Sequence, residues 1–167
     1  GKTTLYQGGI HVPMFVSGYG VSRIGETENA LVNVIDIYAT VLEMVGNNLP
    51  GGIYNSLSFN HLLTNSNFPK RQYNFSEIDT NQGSANTQGY AIRDSIYKLI
   101  EYYNGQQEMF NLNSDPLETN DLLLGSLTAQ EQLLKTELEN EAFQRRTSWS
   151  CNDNIQNGDE IGIDCGG

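Results

Sequence analysis

An α/β fold is what the sequence predicts: one buried strand with helices that belong to a main sheet, then a small antiparallel sheet of three to four strands packed against a C-terminal helix. Three observations carry this. A short apolar run, Met14-Phe15-Val16, follows a glycine-bent loop. The hydrophobic period changes to two after Arg71, as in a half-buried strand, and from Thr128 onward it takes helical spacing.

In chain order, Gly8-Gly9 can take φ > 0 and reads as a loop delivering residues 10–17 into a strand buried on both faces, with Pro13 near its start. A polar loop follows at 18–29, then a short strand over Ala30 to Val34. Asp36 is expected to cap a helix that ends at Gly46 and sets Ile37, Val41, Leu42 and Val45 on one face. Asn47 to Asn55 is rich in turn residues, and a short helix is expected around Leu57 to Leu63, where a lone His61 reads as structural or solvent-facing.

Strands are expected around Tyr73, Phe75 and Ile78, around Tyr90 and Ile92, over Ile96 to Tyr103, and over Glu108 to Leu112. Asn104-Gly105 is the best hairpin turn, with φ > 0 expected at both residues. Thr128-Ala129-Gln130-Glu131 is a capping box, and Leu133, Leu134, Leu138, Ala142 and Phe143 form the stripe expected to cover the sheet.

Composition narrows the functional classes. Twenty acidic against nine basic residues in 167, a net charge of -11, argue against nucleic acid as partner, since phosphate contacts need clustered Lys and Arg. No apolar run approaches the roughly 20 residues that cross a bilayer, so no membrane partner is expected. Gly1-Lys2-Thr3 matches the end of a phosphate-binding P-loop, but that motif must open a helix, and Gly8, Gly9 and Pro13 stand in its way.

Lys2-x-x-x-Tyr6-Gln7-Gly8-Gly9-x-His11-Val12-Pro13 resembles instead the sulfatase pattern Lys-Gly-x-x-Tyr-Glu-Gly-Gly-x-Arg-Val-Pro, with Gln7 in place of Glu and His11 in place of Arg. Four further stretches resemble the family in its own order. These are Val34-Ile35-Asp36-Ile37-Tyr38-Ala39-Thr40-Val41-Leu42-Glu43-Met44-Val45-Gly46, with Ala39 where the family usually has proline, Ser58-Phe59-Asn60-His61-Leu62-Leu63, Ile92-Arg93 with Tyr97-Lys98-Leu99-Ile100, and the run Glu108-Met109-Phe110-Asn111-Leu112 with Asp115-Pro116-x-Glu118-x-Asn120-Asp121-Leu122. The resemblance covers about residues 1–146. It implies the C-terminal end of a sulfatase-like fold within the alkaline phosphatase superfamily, with 1–66 as the end of the catalytic domain and 67–146 as a small sheet subdomain with its helix.

What the resemblance implies for chemistry is specific. Lys2 is the family's substrate lysine, a fixed ammonium donating hydrogen bonds to a sulfate oxygen. His11, in the place of the family's arginine, is a candidate second donor. The family's Ca²⁺ and its formylglycine, made from the Cys or Ser of Cys/Ser-x-Pro-x-Arg, are expected upstream, because that motif is absent and no catalytic or metal residue can be carried over. The chain is therefore expected to be a fragment, inactive alone, of a secreted or periplasmic hydrolase of sulfated carbohydrate or aryl sulfate. A related phosphate or phosphonate ester hydrolase, or a non-catalytic secreted binding module, are the alternatives.

Residues 147–167 read as a linker and an Asp/Asn/Gly-rich tract bounded by Cys151 and Cys165, the chain's two cysteines, which favours a disulfide in an oxidising compartment. The tract resembles the start of a Cys-rich repeat of large secreted proteins of Bacteroidetes. Against the EF-hand loop it fails at Ile155 and at Asp164, which leaves either oxygen ligation by another geometry or a stapled turn.

Overall fold

The computed structural model describes residues 4–47, 55–67, 70–78 and 88–147. Its centre is a four-stranded antiparallel sheet in chain order, β1 (Asn74–Ile78), β2 (Gly89–Arg93), β3 (Tyr97–Tyr102) and β4 (Gln107–Asn111). Each strand pairs with its neighbour in sequence. Because side chains alternate across a strand, the register sorts them into two faces: Ile92↔Leu99↔Met109 on one, Ala91↔Ile100 and Lys98↔Phe110 on the other.

The first face is closed by helix α3 (Ala129–Thr147), whose Leu138 and Ala142 pack on Tyr90, Ile92, Leu99 and Met109. The capping box forms as expected. Thr128 N–H donates to Glu131 Oε2 at 2.7 Å, and the Glu131 N–H returns to Thr128 Oγ1 at 3.3 Å. The buried stripe is narrower than the sequence suggests: Leu134, Leu138 and Ala142, one row at i, i+4, i+8, meet the sheet, while Leu133 and Phe143 are exposed. A sheet of five- and six-residue strands accepts one helical row.

The hairpin between β3 and β4 is where the sequence places it, but its loop is Tyr103 to Gln106 and only Gly105 has positive φ, at 85°. Gly105 N–H closes on Tyr102 O at 2.8 Å and Tyr102 N–H on Gln106 O at 2.9 Å. The longer loop removes the demand on Asn104 for a left-handed backbone.

The second face is covered from the other end of the chain. Leu5, Tyr6 and Ile10 pack on Ala91, Ile100, Phe110 and Leu112. Gly8 and Gly9 lie here in a one-turn helix, α1 (Gln7–Ile10), and neither takes positive φ, so the expected left-handed loop is corrected to a helical turn.

Beyond it the buried strand expected at 10–17 does not form. Residues 11–16 belong to no strand, and Val12 and Phe15 are 75% and 94% exposed. Both faces of the sheet are already taken, by α3 and by residues 5–10, so this run has no layer to enter. The strand expected at 30–34 is reduced to one bridge, Leu31 to Arg71.

Helix α2 (Asp36–Met44) ends where the sequence says, at Gly46 with φ 77°, with Asn47 N–H on Leu42 O and Gly46 N–H on Glu43 O. Its orientation differs from expectation. Asp36, Ala39 and Thr40 are buried, while Ile37, Val41 and Val45 are exposed. Asp36 is not the cap; it is the first helical residue, and its carboxylate accepts from Asn33 N–H and Leu57 N–H, both at 2.8 Å, and is paired with Arg71. A buried carboxylate with a guanidinium partner outweighs the apolar stripe in deciding which side faces in, because leaving that charge unpaired costs more than exposing a few methyls. The short helix expected at Leu57 to Leu63 is a 3-10 turn, Asn60–Leu63, whose Leu62 and Leu63 join Phe59 in a small satellite core.

Candidate functional site

Of the sequence-derived site residues, Lys2, Cys151 and Cys165 lie outside the described residues. His11 is exposed at the end of α1, where its backbone N–H closes on Gln7 O at 2.9 Å. The structure brings together a different set, where the segment following Lys2 meets the second sheet face.

Three contacts fix that segment. Leu5 is 2% exposed among Ala91, Ile100 and Phe110. The Tyr6 hydroxyl donates to Glu108 Oε2 at 2.5 Å and receives the Tyr102 hydroxyl at 3.3 Å, while its ring meets Phe110 edge-on with centroids 6.0 Å apart. The Gln7 backbone N–H donates to Glu118 Oε2 at 2.5 Å, and the other oxygen of Glu118 takes the Lys98 ammonium at 2.5 Å.

Each partner is placed by its own element. Lys98 sits in β3 at the alternation of Ile100, so its stem runs under the docked segment and its side chain is fully buried. Glu118 has φ 57°, a left-handed backbone that costs an ordinary side chain about 1–2 kcal/mol. The Asp115 carboxylate maintains it by accepting Thr119 N–H at 3.1 Å and Asn120 N–H at 2.8 Å, an Asx-type brace closed by Glu118 N–H on Asp115 O.

The electrostatics follow from burial. Desolvation pushes the Lys98 ammonium below its ordinary value, and the Glu118 carboxylate beside it pulls the other way. Burial, then the hydrogen bond to Glu108, holds the Tyr6 hydroxyl far above the usual phenol range. Arg93, lowered by burial, is opposed by the charges of Asp94 and Glu118.

What this arrangement does in the structure is hold backbone. No group of three or more His, Cys, Asp or Glu among the described residues is placed to hold a metal ion. Formylglycine likewise has no parent motif in the sequence. Among the described residues, no helix is long and apolar enough to cross a membrane.

Lys98 and Glu118 stand in the sulfatase-like stretches of the sequence with no role attached to either. The available signal was a lysine in the apolar run Tyr97-Lys98-Leu99-Ile100, since an ammonium in a buried strand requires a carboxylate nearby.

Residues 1–147, ending with α3, match the family model described as N-sulphoglucosamine sulphohydrolase, C-terminal. The chain belongs to this sulphohydrolase C-terminal family. Among the relatives of this sulphohydrolase portion, arylsulfatase K of Xenopus laevis is 27% identical over 125 residues, 70% of this chain and 23% of the relative. That of Danio rerio is 32% identical over 127 residues, 72% of this chain and 24% of the relative. The chain thus spans about a quarter of the length of the curated relatives it matches. A solved structure of BT4656 in complex with its substrate D-glucosamine-2-N,6-O-disulfate superposes with TM-score 0.57 at 25% identity, over 66% of this chain and 24% of that one.

Proposed function

We propose that this chain is the C-terminal part of a sulfuric ester hydrolase, and that it contributes Lys2 as the cation that receives the substrate's sulfate group. The match of residues 1–147 to a sulphohydrolase C-terminal family carries the reading. The anchored segment at residues 5–7, which begins three residues after the lysine, supports it as a mount for a fixed charge.

The substrate class is a sulfated sugar or an aryl sulfate, supported by the arylsulfatase relatives and by the disulfated glucosamine in the BT4656 structure. His11 is proposed as a second, pH-dependent donor to the same group. Calcium and the formylglycine nucleophile would be supplied by residues outside this chain. A secreted or periplasmic setting, with Cys151 joined to Cys165, accords with the cysteine usage.

In this reading the ammonium lowers the barrier by meeting charge that develops on sulfate oxygens as the ester bond breaks, which requires it to be positioned before the reaction starts. In the longer protein that carries this chain, Lys2→Ala lowers kcat/KM toward an aryl sulfate by about 10² or more. A loss under twofold removes Lys2 from the site. The 167-residue chain alone, with Ca²⁺ present, shows no turnover of the same ester; reproducible turnover would mean that the chemistry resides in residues identified here as scaffold.

A further inference from the structure

We infer that Lys98 and Glu118 are positioning residues for the sulfate-binding lysine, acting through the Gln7 backbone N–H. The inference rests on the reading of Lys2 given above and adds how that lysine is kept in place.

Residues 5–10 cannot order themselves. A one-turn helix containing Gly8-Gly9 is far below the length at which a helix persists alone. Its order must come from docking, and docking has two parts with different consequences. Leu5 and Tyr6 supply apolar contact, which tolerates sliding and rotation. The bond from Gln7 N–H to Glu118 is directional and fixes the register of the segment on the sheet.

Glu118 is suited to that task because it is itself immobilised. Its side chain is 1% exposed, its second oxygen is held by Lys98, and its backbone is braced by the Asp115 turn. A buried ion pair is poor at adding stability, since apolar side chains of similar size commonly do as well, and its best-attested use is to specify register. Lys2 is three peptide links from Leu5, a reach of at most about 11 Å, so slippage of the segment passes directly to the lysine. A misplacement of about 1 Å at a reacting group is enough to cost 10²-fold in rate.

The test breaks the bond at its donor. Tyr6, with φ -72° and ψ 159°, already has the backbone that a following proline requires, and position 7 is the first helical residue, where proline is tolerated. Gln7→Pro therefore deletes the N–H accepted by Glu118 and sets the ring Cδ in its place, so the Glu118 carboxylate, 2.5 Å from that nitrogen in the parent, must withdraw while the Lys98 and Lys2 side chains are retained. Gln7→Ala is its control, keeping the N–H and losing the side chain.

In the longer protein, Gln7→Pro is expected to lower kcat at least tenfold with KM changed less than threefold, at a temperature where the variant is still folded, while Gln7→Ala stays within threefold of the parent. In the 167-residue chain, hydrogen exchange of the Ile10 and His11 amides is expected to quicken at least tenfold in Gln7→Pro, with the Leu99 and Ile100 amides unchanged. A second variant guards against an unpaired buried charge: Lys98→Met with Glu118→Leu removes the ion pair and the acceptor for Gln7 together, keeps the site apolar, and is expected to lower kcat at least tenfold while the protein stays folded at the assay temperature.

Equal activity of Gln7→Pro and Gln7→Ala overturns the inference, as does unchanged exchange at Ile10 and His11. Full activity in Lys98→Met/Glu118→Leu overturns it too. If exchange quickens as expected but Lys2→Ala is itself without effect, the clasp exists and the reading of Lys2 is what has failed.

Discussion

Ile92 and Phe15 are both large apolar side chains outside any helix, yet Ile92 is fully buried and Phe15 is 94% exposed. The two regions around them differ in the same way. From Tyr73 to Ala142 the apolar residues close two cores on the two sheet faces, while between Val12 and Val45 most large apolar side chains face outward and only a satellite cluster around Phe59 forms. Apolar content does not distinguish these regions. A meander with an adjoining helix fills its first face within about seventy residues of chain and needs only the short segment at 5–10 for its second, whereas an apolar run suited to a strand buried on both faces needs neighbours on each side from elsewhere.

Glycine substitutions should expose the contrast most strongly. At Gly89, φ is 157° and a Cβ would stand 2.1 Å from the Glu101 carbonyl oxygen and 2.8 Å from Tyr102 Cα, so β2 and β3 must separate to admit it. Gly89→Ala is expected to cost about 4 kcal/mol or more, read from the urea midpoint. At Gly20, φ is 90° but nothing lies within 4 Å of the added atom, so Gly20→Ala bears only backbone strain, about 1–2 kcal/mol. Comparable losses at the two positions would mean that the sheet is no tighter than the loop.

Core truncation is the next test. Ile92→Ala removes atoms packed by Leu99, Met109 and Leu138 and should cost about 3 kcal/mol, whereas Phe15→Ala should stay within about 0.5 kcal/mol. Denaturation of the two variants beside the parent checks this. A Phe15→Ala loss approaching that of Ile92→Ala would show that residues 12–16 are buried in solution.

The same division explains what the sequence disclosed. The strands, the hairpin at Gly105 and the capping box at Thr128 were legible because their signals are local: alternation, a turn residue, a cap three residues from its partner. The orientation of α2 was not, because Arg71, thirty-five residues from Asp36, decides it. The strand at 10–17 was misread because an apolar run states what could be buried and not whether a layer exists to bury it. At the candidate site, the sulfatase resemblance drew attention to Lys2 and His11, but the clasp of Lys98, Glu118 and Gln7 joins positions up to 111 residues apart and shows only in three dimensions.

A smaller effect separates the two regions by pH. Glu28 ties the exposed region together: its carboxylate meets Arg23 Nη1 at 2.8 Å, Lys70 Nζ at 2.7 Å and Ala30 N–H at 2.9 Å. Hydrogen bonding to Lys70, the largest cause, lowers its pKa from the ordinary 4.5 to about 2 against the opposing pull of burial. A carboxylate lowered on folding adds stability that is complete above its unfolded value and is lost as pH falls through the folded one. The window is thus from about 4.5 down to about 2. Because Lys70 is 39% exposed, screening holds the contribution below about 1 kcal/mol. Across this window the Ala30 amide is expected to lose protection from exchange in the parent, and to be unprotected throughout in Glu28→Ala, which has no acceptor. The Leu99 amide, inside an apolar core with no titrating side chain among its buried members below the phenol range, should not distinguish the two proteins. A Glu28 carboxyl that titrates near 4.5 by NMR would show that this region is held no more firmly than its exposed side chains suggest, and would widen the difference from the sheet.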